Sequence, residues 1–171
     1  MELQITARGR PLSLPTRPPS RWCRSHKVDE LAACPWAEVA WYFADSREQY
    51  RLLGRVTVVG EGAPADDKLQ RARAAAWKNM SDPGRQQFLW PAPGLPRGTG
   101  EEGEAEDPAL FKPPPPGKDD PVAASFCLCI LEVEETDLLS LAANTRRAFR
   151  RRAGGEGDAG AGVWEEANVN P

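Results

Sequence analysis

The residues best suited to chemistry stand together at Arg24-Ser25-His26-Lys27, just ahead of a run of helix formers. A phosphate monoester is a dianion that needs several donors at once. Guanidinium, hydroxyl and ammonium groups supply them, and the unpaired amides of a helix N-terminus add more. The same four residue types also make an ordinary solvated helix cap, with Ser25 capping the first turn. Both readings stay open on these residues alone. Elsewhere no side chain stands out as a general base, so the catalytic residues are unknown at this stage. A single histidine and one tight Cys-x-Cys pair, Cys127 and Cys129, lack the convergent spacing of a zinc site, and no metal is expected.

The elements that must position this segment follow from the residue pattern. Lys27–Cys34 reads as a short helix ended by Pro35. Residues 37–43 alternate Ala37, Val39, Trp41 and Phe43 against Glu38, Ala40 and Tyr42, the period of a strand. After a turn at Asp45-Ser46, residues 49–59 alternate again, which predicts an antiparallel hairpin. Residues 66–80 switch to a helical stripe of Leu69, Ala72, Ala76 and Met80, widened by Trp77, and a second short helix is expected over 82–90 before the prolines from Pro91. Residues 97–121 join an acidic, glycine-rich piece to Pro113–Pro116 and are expected to be a mobile surface loop. Strands are predicted over 125–133, near 145–150 and over 163–169. Trp41, Trp77, Trp90 and Trp164 are assigned to packing.

The fold class is therefore mainly β with flanking helices (α+β), in one domain, because 171 residues are short for two cores. Residues 1–21 hold arginines, prolines and serines with little periodicity and read as an extended or disordered leader, with a transit peptide as a minority reading. Residues 22–171 form the domain. A net charge of −3 gives no basic field for nucleic acid or an anionic membrane, and no apolar run reaches the length of a bilayer span. Neither partner is expected. The four cysteines are expected to be buried free thiols in a reducing compartment, and the expected location is cytoplasmic, with organellar import as the alternative.

Three stretches taken together carry a family resemblance. They are Arg24-Ser-His-Lys-Val-Asp-Glu-Leu31, Cys34-Pro-Trp-Ala-Glu-Val-Ala-Trp-Tyr-Phe43 and Ser46-Arg-Glu-Gln-Tyr-Arg-Leu-Leu-Gly-Arg-Val56, followed by Arg85…Phe88-Leu-Trp-Pro-Ala-Pro-Gly94 and the closing Trp164…Val169-Asn-Pro171. In order and spacing they resemble the pyridoxamine 5'-phosphate oxidase-like FMN-binding family of plants and cyanobacteria. The resemblance implies an FMN-binding split β-barrel, a homodimer with FMN at the subunit interface, and an oxidoreductase of unknown small-molecule substrate. It places Ser25 and Lys27 at the FMN phosphate with Arg24 beside them, Gln49 at the cofactor, and Arg146 near it in the closing strands. On its own pattern, Gln49 is equally a solvent-facing strand residue and Arg146 an ordinary exposed charge. Two departures bear on function. His26 stands where the family usually has arginine, which removes a permanent charge and a bidentate fork. The strands with which the family begins have no counterpart before Arg21, so the barrel is expected to be incomplete at its N-terminus. A non-catalytic remnant or dimerising interaction subunit without FMN is the alternative function.

Overall fold

The computed structural model describes residues 2–7, 25–61, 67–91, 108–152 and 162–171. Six strands form one sheet in the order β1 to β6: β1 (Glu2–Ala7), β2 (Trp36–Phe43), β3 (Glu48–Val59), β4 (Leu128–Ser140), β5 (Thr145–Arg152) and β6 (Val163–Val169). The helices are α1 (His26–Ala33), α2 (Asp67–Asn79) and α3 (Asp82–Gln86), with 3-10 turns at Gln87–Leu89 and Pro108–Phe111. The chain clusters into two compact units. One holds Glu30–Thr57 and Leu131–Pro171 with β1, and the other holds Val58–Ile130 with the start of α1.

In the strand unit, β2 and β3 pair antiparallel with Trp41 opposite Tyr50 and Phe43 opposite Glu48. Paired residues share a face, so the alternation in the sequence becomes two surfaces. Trp41, Phe43, Tyr50 and Leu52 lie on one, and Glu38, Gln49, Arg51 and Leu53 on the other. The apolar surface is knitted by ring contacts of Trp41 with Phe43 (5.1 Å) and Phe43 with Tyr50 (5.7 Å). The turn between the strands is closed by Arg47 at φ 55°, a left-handed position. The β4–β5 hairpin is closed in the same way by Asn144 at φ 50°.

Gly54 lies in the middle of β3 and is buried. A Cβ there would fall 1.9 Å from the Glu132 carbonyl oxygen of β4, so only glycine allows the two backbones to come this close.

In the helical unit, Trp77 is fully buried and meets Phe88 and Phe126 at 5.9 and 5.4 Å. Arg73 is buried beside them. Its Nε donates to the Phe126 carbonyl and its Nη2 to the Ala123 carbonyl, both at 2.9 Å. Burial lowers the Arg73 pKa, partly countered by Glu61. Arg85, also buried, donates to the carbonyls of Pro116 and Met80 and pairs with Asp82.

Several expectations change against this architecture. Glu2–Ala7, read as part of an extended or disordered leader, is a strand paired antiparallel with β2, Leu3 opposite Trp41 and Ile5 opposite Val39. Residues 8–24 lie outside the described set. Of the loop expected over 97–121, residues 97–107 also lie outside it, whereas the proline run is fastened by Arg85 to the Pro116 carbonyl and by Gln86 to the Pro113 carbonyl, with Phe111 against Trp90 at 6.1 Å. Trp164 is exposed on β6 rather than packed. Cys127 is disulfide-bonded, while Cys34 and the exposed Cys129 carry free thiols, so the reading of all four cysteines as buried thiols does not hold.

Candidate functional site

The segment singled out for anion chemistry opens α1. Arg24 lies outside the described residues. Ser25 is half-buried just before the helix, where its Oγ accepts from the Lys27 amide (3.3 Å) and its carbonyl accepts from the Val28 amide (3.0 Å). Ser25 is thus a local cap, as its residue type predicts. His26 and Lys27 are the first two helical residues and are exposed. The Lys27 ammonium has no ion pair among the described residues, leaving its donors available. An anion at this helix start would meet a cation, a hydroxyl and the positive end of the helix.

The other two residues belong to the strand unit. Gln49 is half-buried on β3, and among the described residues its side-chain amide makes no hydrogen bond. It shares a strand face with Arg51, which, together with Arg146, lines a cavity of about 410 Å³. Arg146 on β5 is opposite Leu139, and Asp137 is opposite Ala148, so the two charged residues are diagonal neighbours on one face of the hairpin. The Arg146 Nε donates to both Asp137 carboxylate oxygens at 3.0 Å, and Nη2 donates to Oδ2 at 2.5 Å. That hydrogen bonding, with the attraction of the same carboxylate, raises the Arg146 pKa further and keeps it protonated. The alternative reading of Arg146 as an ordinary exposed charge gives way to a bidentate pair on a half-exposed side chain.

The cavity also presents groups with no prior signal. The Arg51 Nε and Nη2 donate to Glu38 Oε1 at 3.0 and 2.7 Å, and Arg150 pairs with Glu135 at 3.6 Å. In the sequence each of these is one charge among many on an alternating strand. Only the register of β2 against β3 and of β4 against β5 brings them together. Among the described residues no group of three or more His, Cys, Asp and Glu is placed to hold a metal ion, and no helix is long and apolar enough to cross a membrane.

These features define a class: a mainly β, α+β chain with an antiparallel strand framework, a candidate anion site at a helix start and an arginine-lined cavity on the strands. The comparisons with known proteins agree. A family model described as "Pyridoxamine 5'-phosphate oxidase, FMN-binding domain" matches residues 22–60. "Pyridoxine/pyridoxamine 5'-phosphate oxidase 2" of Arabidopsis thaliana is 35% identical over 150 residues, spanning 86% of this chain and 69% of that protein. The crystal structure of a pyridoxamine 5'-phosphate oxidase-related, FMN-binding protein from Nostoc punctiforme superposes with a TM-score of 0.71 at 32% identity, covering 99% of this chain and 72% of that one. The chain belongs to the pyridoxamine 5'-phosphate oxidase family of FMN-binding domains.

Proposed function

We propose that this chain is an FMN-binding flavoprotein of the oxidoreductase type, acting as a homodimer on a small-molecule substrate, with its sheet forming a split β-barrel. The observation that carries the reading is the Lys27 ammonium, without an ion pair among the described residues, beside Ser25 at the start of α1, inside the stretch matched by the family model. These residues fit the cofactor. A phosphate dianion suits Lys27, Ser25, the first helical amides and Arg24, and the pyrimidine edge of a flavin, which both donates and accepts, suits the amide of Gln49. Arg146 stands on the cavity that Arg51, a face-mate of Gln49, also lines. When bound, FMN supplies the hydride or electron transfer, while the polypeptide binds and orients it. The dimer reading is supported by β6, an edge strand exposed throughout, with Val163, Trp164 and Val169 among the exposed large apolar side chains.

The test compares FMN with riboflavin, which lacks the phosphate, by fluorescence quenching against the full chain. Lys27→Ala should weaken FMN about tenfold or more, and His26→Arg should tighten it about ten- to hundredfold by supplying a charge-assisted fork of roughly 1.5 to 3 kcal/mol. Riboflavin should change little. Equal effects on both ligands, or no effect on FMN, would reduce Arg24–Lys27 to a capped helix start.

A further inference from the structure

We infer that the proline run Pro113–Pro116 is a preformed ridge that docks into a second protein, in a groove lined by aromatic rings with carboxylates at its rim. The inference goes beyond the flavoprotein reading and does not depend on it. It starts from sterics. Lys112, Pro113, Pro114 and Pro115 each precede a proline and are thereby confined to extended backbone, and every proline ring fixes φ near about −65°. Together these restrictions give a left-handed polyproline II helix of about three residues per turn, without internal hydrogen bonds.

One edge of that helix is used inside the molecule. Pro113 and Pro116, one turn apart, are half-buried, and their carbonyls accept from Gln86 Nε2 and, at 2.9 Å, from Arg85 Nε. Ahead of the run Phe111 meets Trp90 at 6.1 Å, and behind it the Gly117 amide donates to Asp120 Oδ2 at 2.7 Å. The ridge is thus fastened along its inner edge and held at both ends. Its outer edges face solvent. Pro114 and Pro115 are exposed, between exposed Lys112 and Lys118. Neither lysine has an ion pair among the described residues, and the nearby Asp119 is taken by Lys78 at 3.3 Å. Leu110, just before the ridge, is 54% exposed and extends its apolar surface.

Bracing the helical unit needs only the inner edge. The outer edges present two rigid rings between two cations, the pattern that fits an aromatic groove with an acidic rim. Because the run is already ordered, docking costs little conformational entropy. The face is small, so affinity is expected on the order of 100 μM, as for weak, transient contacts.

The test titrates the full chain into two isotope-labelled probes, an SH3 domain and a WW domain, followed by nitrogen–proton correlation NMR. Each probe is also prepared with a groove tryptophan replaced by alanine. Saturable shifts in the groove of at least one intact probe, absent from its groove variant, are expected. Pro114→Ala and Pro115→Ala should each weaken binding about tenfold, and Pro113→Ala, on the inner edge, less than about threefold. Lys112→Glu combined with Lys118→Glu should weaken it severalfold and remove its salt dependence. That surface pair also stands in should a proline variant unfold. No saturable shift in either probe while a free proline-rich peptide binds both, equal binding to the groove variants, or a loss in Pro113→Ala as large as in Pro114→Ala and Pro115→Ala overturns the inference and leaves the run as an internal brace.

Discussion

At the residue scale, chemistry was legible where it depends on side-chain type near one point in the chain. Ser25 capping α1, with Lys27 as a cation at its start, follows from the local run of residues. The partners of Arg146 and Arg51 did not follow, because Asp137 and Glu38 reach them only through strand register. Arg85 illustrates the same limit. In the sequence it is only the first residue of the Arg85…Gly94 motif, and its partners are set by tertiary contacts. It is 3% exposed, and its donors satisfy the carbonyls of Met80 and Pro116. Removing it leaves those acceptors and Asp82 without their donor, so Arg85→Ala should cost about 3 kcal/mol. Urea unfolding would check this, and a loss below about 0.5 kcal/mol, the range of an ordinary surface change, would show that the network contributes little.

At the element scale, the period of two over residues 37–43 and 49–59 and the helical stripe over 66–80 were clear because apolar and polar residues recur at the spacing of a strand or helix. The strand Glu2–Ala7 was missed although Leu3 and Ile5 alternate with Gln4 and Thr6, since six residues in a proline- and arginine-rich surround carry little weight. The length of β4 was also underestimated. A charged and polar stretch, Glu134–Asp137, interrupts its apolar run before Leu138 and Leu139, and it stays in the sheet because Glu135, Thr136 and Asp137 pair with β5. Gly54 is the most demanding position in the strands. An added methyl would overlap the Glu132 carbonyl, which is backbone and cannot rotate away. Gly54→Ala should therefore separate β3 from β4 locally and destabilise the chain by about 2 kcal/mol or more. Thermal melting by circular dichroism measures this, and an unchanged melting temperature would mean that the strands part without cost.

At the scale of the whole molecule, the family was legible from ordered motifs, each weak alone, spread from Arg24 to Pro171. Length and composition carried much less. They point to a mainly β class and a near-neutral charge, but not to the association of subunits, which depends on surfaces such as the exposed β6. The central claim is that this polypeptide holds FMN. Its most direct test is the visible absorption of the purified, folded chain after FMN is added and the unbound flavin removed. Flavin bands should be retained at about one FMN per chain and released as FMN when the protein is denatured. A folded, colourless dimer would contradict that claim and favour a non-catalytic interaction subunit.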